Sequence, residues 1–583
     1  MTLRRGLAWT YRGLLAGGLL AQVVAVAIAS PALSLAGLVA GALADLLTSD
    51  ERSAFRRRLR NVGLGLVPRV FSRALLLVAA VAQAAPTASA GVYAIGLLAV
   101  IAAVQAHRLV LRRLLGRITA WGAHNLGAAV ELGPRLAGWR RRRTIGAGLL
   151  CGLEVPLGVA VAGDALGRFT PGAVLTTAGV VVGVAVAGLA VEVIDAARNA
   201  RAEPREVHEE ALRAAITASG AEVVLYFSGG ARSTYQLRQW VPVIERLSRP
   251  VLYVLREEVH LSAVAGTRWP VLVAKQTRDV ELALAGDPKV VLYVANAGKN
   301  LHLLRYHRPK HVFLNHGDSD KASSANPVVR VYDRLFVAGE IAIDRYRTVG
   351  IDLPDDRFAI VGRPQLDEVL DRGQRIDGGP PTLLYAPTWE GYFEVADYSS
   401  LERLGERLIG ELLRSCPELR IVFKPHPLSG RVRPEAATAI RSVEAMLRDA
   451  GPPHVNAREH PDLDLLAWFD RCDVLLADIS AVVTDFLHTD KPYLVTNPRG
   501  FELEEFHRQF PSHTAAYVVA PDGRDVAPLV GRALADDPLA AARRELKHRV
   551  LGEHPNGPLA AFEGALADMV ARASDDRVPA HDR

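Results

Sequence analysis

The chain has 583 residues, a net charge of +6 and a hydrophobic share of 50%. At about 150 residues per domain, that length excludes a single core and implies three or four units. The hydrophobic share is high for a uniformly soluble enzyme, and the excess lies before residue 195.

Six apolar runs of low charge open the chain: Gly13–Ser30, Ala32–Leu47, Val70–Ala85, Val92–Ala106, Ile145–Gly163 and Pro171–Val191. Each approaches the ~20 residues that cross a bilayer core, and their Gly and Ala content allows close helix packing. A buried soluble helix explains any one of them, but not six in succession. Arginines cluster before the first run (Arg4, Arg5, Arg12), after the second (Arg52, Arg56, Arg57, Arg58, Arg60, Arg69) and after the fourth (Arg108, Arg112, Arg113, Arg117, Arg135, Arg140 to Arg143). The alternate loops, near Pro31, at 86–90 and at 164–168, carry almost none. This positive-inside alternation predicts a multi-pass cell-membrane domain with the C-terminal two thirds in the cytoplasm. The basic charge is then expected to face anionic lipid headgroups, with no nucleic-acid partner. A signal peptide ending at Ala27-Ile28-Ala29-Ser30 competes at the start, although cleavage there leaves the direction of the later spans unchanged.

From Ala196 the composition turns charged and mixed, and 197–210 reads as a connecting helix. Strands are predicted at Val223–Phe227, Val251–Leu255, Val271–Ala274, Val290–Val294, His311–Leu314 and Leu335–Val337, alternating with helical patterns. After a Gly/Pro-rich break at 371–381, a second set follows at Thr382–Tyr385, Arg420–Phe423, His454–Asn456, Asp473–Leu476, Tyr493–Val495 and Ala516–Val519. Such alternation implies α/β architecture: two doubly wound Rossmann-like domains facing a cleft, with ligands beyond the carboxyl ends of the strands. The expected domains are 1–195 (membrane helices), 196–370, 371–573 and a polar, disordered tail at 574–583. Cys151, Cys416 and Cys472 lack any ligand spacing, so neither a zinc site nor a disulfide framework is expected.

Three segments in the second domain carry chemistry. Asp478-Ile479-Ser480 turns from a strand into a helix, whose free N–H groups suit a phosphate; simple N-capping by Asp478 or Ser480 is the plainer alternative. Lys424 and His426, in FKPHP, follow a strand directly, where an ammonium and an imidazole suit phosphate charge. Tyr385-Ala386-Pro387-Thr388 ends another strand, which makes Thr388 a third candidate.

Taken in order, YAPTWEG, FKPHP and ADISAVVTDFLHTDKP resemble the CDP-glycerol glycerophosphotransferase family, the teichoic-acid polymerases and primases, over residues 220 to 535. The resemblance implies a GT-B-like architecture with the donor nucleotide in the second domain and the acceptor in the first. It carries the role of catalytic base onto His316 in Asn315-His316-Gly317-Asp318, with Asp318 in place of the family's Thr, where it would orient the imidazole or meet a different acceptor. It also implies that Arg363, in Val361-Gly362-Arg363-Pro364, contacts phosphate or forms an interdomain ion pair, with the family's Pro-Arg order transposed. Ile479 and Ala481 replace the family's Tyr and second Ser. Gly229 and Gly230, after the first strand, are candidates for close approach of the acceptor. Asp485, a carboxylate among apolar neighbours, either bonds internally or meets the ribose or glycerol of a ligand.

The implied activity moves glycerol phosphate, or a related polyol phosphate, from CDP-glycerol to a lipid-linked or polymer hydroxyl, with release of CMP. No cofactor and no metal are required by this reading. A nucleotide-sugar glycosyltransferase, or a non-catalytic nucleotide-binding module attached to a transporter, are the alternatives.

Overall fold

The computed structural model describes residues 2–47, 66–84, 89–115, 121–127, 145–202, 205–321, 324–369, 379–391 and 397–576. The arginine clusters at 52–60 and 135–143, most of the break at 371–381, and residues 577–583 lie outside the described residues. The chain divides into two compact units, one formed by 1–120 with 129–211 and the other by 121–128 with 212–583.

All six apolar runs of the first unit are helical: α1 (Thr2–Ala27), α2 (Pro31–Leu47), α3 (Leu66–Ala84), α4 (Ser89–Leu115), α5 (Ile145–Ala165) and α6 (Pro171–Ala202). Only two stretches among the described residues, Leu66–Ala84 and Pro171–Val191, are long and apolar enough to cross a bilayer; Gly13–Ala27, Pro31–Asp45 and Ala94–Ala103 are shorter. The expectation of six spans is corrected to that extent. Helix α5 is interrupted chemically by Glu154 and Pro156.

The unit packs around Leu38, Leu77, Val81, Leu157, Val161 and Val174. Helices α1 and α2 meet through glycine: a Cβ on Gly18 would stand 2.7 Å from the Gly37 carbonyl oxygen, so any larger residue forces them apart. Inside this core lies a buried ionic lattice. Arg73 donates to Glu154 at 3.0 and 2.8 Å and to Asp45 at 2.8 Å, while Arg69 donates to the other Asp45 oxygen at 2.6 Å.

A further helix, α7 (Arg205–Ala218), leads into the α/β unit. There the first sheet comprises β2 (Val223–Phe227), β3 (Val251–Leu255), β4 (Val271–Val273), β5 (Val290–Tyr293), β6 (Lys310–Phe313), β7 (Arg334–Val337) and β8 (Phe358–Ile360). These strands are parallel in the order β4-β3-β2-β5-β6-β7-β8. Their uninterrupted Val/Leu/Tyr runs are what a sheet covered on both faces demands. Helix α8 (Thr234–Arg246) covers one face through Leu237, Trp240, Val243 and Ile244.

The edge holds a strand that sequence reading missed. Residues Gly122–His124 (β1), which lie in the chain between α4 and α5, pair antiparallel with β4, Gly122 opposite Val273. Asn125 anchors the segment by donating to the carbonyls of Thr267 at 2.7 Å and Trp269 at 3.1 Å.

The second sheet, β9 (Thr382–Ala386), β10 (Arg420–Phe423), β11 (Val455–Asn456), β12 (Val474–Ala477), β13 (Tyr493–Thr496) and β14 (Tyr517–Val519), is parallel throughout, in the order β11-β10-β9-β12-β13-β14. Predicted and observed strands coincide to within a residue or two, and β8 is an addition. The domain boundary expected at 573 does not hold. The last helix, α9 (Pro558–Asp575), crosses back, and its Phe562, Leu566 and Met569 join the core of the first sheet.

Candidate functional site

The order of the second sheet reverses between β9 and β12, and in doubly wound sheets ligands bind at such a switch point, beyond the carboxyl ends of the strands. Thr388 follows β9 there, Asp478 and Ser480 follow β12, and Lys424 and His426 follow the neighbouring β10. The loop 315–321, which follows β6 of the first sheet, approaches the same place. A Cβ added to Gly317 would stand 3.1 Å from that of Ala481.

Asp478 is engaged within the fold. It is wholly buried, accepting the Thr388 N–H at 2.8 Å and the Thr496 hydroxyl at 2.5 Å, and burial raises its pKa against these bonds. Its part is to clamp the two sides of the switch point together. Ser480 donates to the Asp478 carbonyl at 3.1 Å and makes no cap bond, so neither residue caps through its side chain. The following helix is one short stretch, Ala481–Phe486, which weakens the helix-dipole argument for phosphate made from sequence.

His426 is oriented by its own loop. Its Nδ1 accepts the Leu428 N–H at 3.1 Å, so the neutral ring carries its proton on Nε2 and is a donor there. The loop is in turn held by the buried Glu390 carboxylate, which accepts from the backbone N–H groups of Gly430, Val432 and Arg433 at 3.1, 3.1 and 3.2 Å. Burial, then the nearby charges of Lys321 and His316, push the imidazole pKa down to about 3. Burial also lowers Lys424, with Asp464 acting against it.

His316 shows the opposite tautomer. Its Nε2 lies 3.3 Å from the Gln236 amide nitrogen and takes the acceptor role, while Nδ1 faces the Val294 carbonyl at a geometry short of a full hydrogen bond. Burial, then Arg363, lower its pKa to about 4. The ring is therefore neutral and presents a lone pair. Tyr235 stands edge-on to both imidazoles, its centroid 5.9 Å from His316 and 5.6 Å from His426. One tyrosine of α8 thus links a proton acceptor on the first half with a proton donor on the second.

The remaining predicted residues serve the scaffold. Asp318 pairs with Arg345 and so does not orient His316. Arg363 donates to Asp485 at 2.8 and 3.3 Å, so the proposed phosphate ligand and the proposed ribose ligand are each other's partner across the two halves. Of the alternatives left open for each, the interdomain ion pair is the one this geometry shows. Gly229 is also occupied, since its N–H donates to Glu257 at 3.1 Å and its carbonyl accepts from His260 at 2.9 Å. Gly230 alone stays open, with nothing within 4 Å of an added Cβ.

Sequence reading assigned no role to several residues that the fold brings to the site. Asp320 joins the halves, accepting from Ser512 N at 2.7 Å and Oγ at 3.0 Å while pairing with Arg345 at 2.8 Å. Burial alone would raise this carboxyl; bonds from His513 and the charge of Arg345 hold it well below the usual range. Lys321 donates across the cleft to Thr388 Oγ1 at 2.7 Å. Gln236, Tyr235 and Glu390 complete the set. Their helix and loop contexts are ordinary in sequence; Glu390 lay within the YAPTWEG motif but was given no role there.

No family model matches the chain, and no curated protein is similar to it in sequence. Among solved structures, the wall teichoic acid polymerase TagF soaked with CDPG overlays at TM-score 0.42 and 11% identity, covering 64% of this chain and 94% of that one. The Anabaena protein HepE in complex with UDP and glucose overlays at 0.37 and 10%, covering 60% and 100% respectively. A Rickettsia africae glycosyltransferase gives 0.37 and 11%, covering 60% and 98%. Overlays this loose leave donor, acceptor and chemistry to be read from the chain's own residues.

Proposed function

We propose that this chain is a transferase moving glycerol phosphate, or a related polyol phosphate, from CDP-glycerol to a hydroxyl of a lipid-linked or polymer acceptor, at the cytoplasmic face of a membrane spanned by its helical unit. The observation that carries this reading is the pairing of opposite tautomers: His316 with Nε2 as an acceptor, held by the Gln236 amide, and His426 with a donor N–H, both rings meeting Tyr235.

In the reaction, the acceptor hydroxyl displaces the Gln236 amide from His316 Nε2, its O–H bond breaks as that nitrogen takes the proton, and the acceptor oxygen attacks the β-phosphorus. The bridging P–O bond then breaks and its electron pair leaves with CMP. A pKa near 4 makes His316 a weak base on its own, and the negative charge of a bound diphosphate would raise it. His426 Nε2–H and the Lys424 ammonium supply hydrogen bonds and charge to the phosphates. No step calls for a metal.

Membrane association draws support from the two apolar helices Leu66–Ala84 and Pro171–Val191. Chain connectivity adds a constraint. Strand β1 precedes α5 and α6, and the strands that complete its sheet follow them, so a crossing by Pro171–Val191 has to be paired with a second one, for which α5 is the candidate.

A nucleotide-sugar donor is the second reading, favoured by Ala481, which removes a hydroxyl from the turn that follows β12. Membranes carrying the protein, given labelled CDP-glycerol or nucleotide sugars, separate the two. Release of CMP from CDP-glycerol is expected; release from a nucleotide sugar alone would overturn the donor assignment.

A further inference from the structure

We propose that Lys321, carried on the first half, is a direct ligand of the donor's diphosphate and brings its positive charge across the cleft beside His426. The inference rests on the nucleotide-donor reading above and extends it to a residue that reading does not use.

Lys321 ends the loop that bears His316, and its ammonium reaches the switch point of the second sheet, where it donates to Thr388 Oγ1 at 2.7 Å. An ammonium has three N–H donors, and among the described residues this hydroxyl is its one hydrogen-bond acceptor. The acids that face it are committed elsewhere. Asp478, after β12, is spent on Thr388 N–H and the Thr496 hydroxyl. Asp397, on the segment before the next helix, holds the Ser399 N–H at 3.0 Å and the Arg433 guanidinium at 2.5 Å. The other groups facing it are His426, which follows β10, and the Tyr398 ring, whose centroid is 6.0 Å away.

Burial lowers the lysine pKa to about 8, with Asp478 and Asp397 acting against it. A desolvated ammonium with unused donors, one hydroxyl acceptor and no carboxylate within 4 Å among the described residues is suited to an anion. A diphosphate at the mouth of β9 and β12 would supply the missing acceptors. A plain interdomain strut would need a carboxylate partner, as Arg363 and Asp320 have.

The test uses the full-length protein in detergent, as wild type, Lys321→Met and Lys321→Arg, titrated with CDP, UDP and the matching nucleosides. Loss of one charge-assisted contact should weaken nucleoside diphosphates in Lys321→Met by about 10- to 100-fold, with nucleoside affinity changed far less and the unliganded melting midpoint retained. Lys321→Arg should keep most of the diphosphate affinity. Wild-type affinity should fall as pH rises through about 8, where the ammonium is lost, and the Arg variant should show no such fall.

Undiminished diphosphate binding in Lys321→Met, or equal loss of nucleoside and diphosphate, would overturn the assignment. Binding of UDP but not CDP would sink the CDP-glycerol reading and leave the lysine test standing. Binding of neither nucleotide by the wild type overturns both.

Discussion

The helical unit and the cleft both bury charge, and they do so on different terms. In the helical unit two arginines meet two carboxylates, Arg69 and Arg73 against Asp45 and Glu154, every guanidinium matched to an acid at 3.0 Å or less. In the cleft, Arg363 and Asp485 are matched in the same way, but Lys321 has one hydroxyl and His316 and His426 are held neutral. A closed set of charges holds structure together, whereas an open set of one sign leaves work for an anionic ligand. Each experiment below breaks one set and spares the other.

The largest effect is expected at the open set. Replacing His316 with Ala should lower CMP release by about 10²- to 10⁴-fold, the usual worth of a positioned base, while CDP-glycerol binding is largely kept. Full activity in that variant would remove the base assignment. Next comes the closed set of the helices. Arg73→Met leaves Glu154 buried without its cation and should cost about 3–5 kcal/mol in unfolding followed in detergent. The pair Arg73→Met with Glu154→Met should cost less than the single change, and a larger loss in the double variant would show that the lattice is not a matched pair.

Arg363→Met should destabilise the α/β unit by a smaller amount, because burial already raises the Asp485 pKa and lets the stranded carboxyl neutralise. Its cost should shrink as pH falls, which equilibrium urea unfolding at several pH values would test.

The pH dependence of the unit follows from the histidines. Their folded values, about 4 and about 3, lie below the ordinary 6.5, so the unfolded chain takes up protons first. Stability present above pH 6.5 is therefore lost as pH falls toward 4 and 3, by about 1.4 kcal/mol per unit per group at most. Lys321 acts in the same sense higher up, adding stability as pH rises from about 8 toward its ordinary 10.5. A urea midpoint that stays flat between pH 6.5 and 4 would contradict the burial of both rings. The smallest effect is expected at the sheet edge, where Asn125→Ala removes two hydrogen bonds to Thr267 and Trp269 and should cost about 1–2 kcal/mol.

Much of the α/β unit was legible in the sequence. Strands such as Val223–Phe227 and Val251–Leu255 are continuous apolar runs that only a two-sided parallel sheet accommodates, and their limits matched residue for residue. Strand β1 was not legible, because Gly122-Ala123-His124 has no strand propensity of its own and forms only where β4 offers an unpaired edge. The crossing of α9 to the first core was hidden as well, since an amphipathic helix records that it has an apolar face but not which sheet receives it.

In the site, the motifs located His316, His426, Lys424 and Thr388 at the right strand ends. For Arg363 and Asp485 an ion pair or an internal bond was one of two open readings, and the fold pairs them with each other; Asp478 and Gly229 are engaged with Thr388, Thr496, Glu257 and His260. A sequence shows that a carboxylate or an amide is present; whether it is already satisfied depends on partners 18 to 122 residues away.

The amino-acid sequence by itself determined the division into an apolar helical part and two α/β halves, because hydrophobic periodicity is a local property that each segment carries with it. Tertiary structure decided which polar groups remain open to a ligand. It alone set the tautomers of His316 and His426, through Gln236 and the Leu428 N–H, and placed Lys321 beside Thr388. The physical reason is that hydrogen bonding and desolvation act between neighbours in space, and Lys321 and Thr388 become neighbours only when the two halves meet.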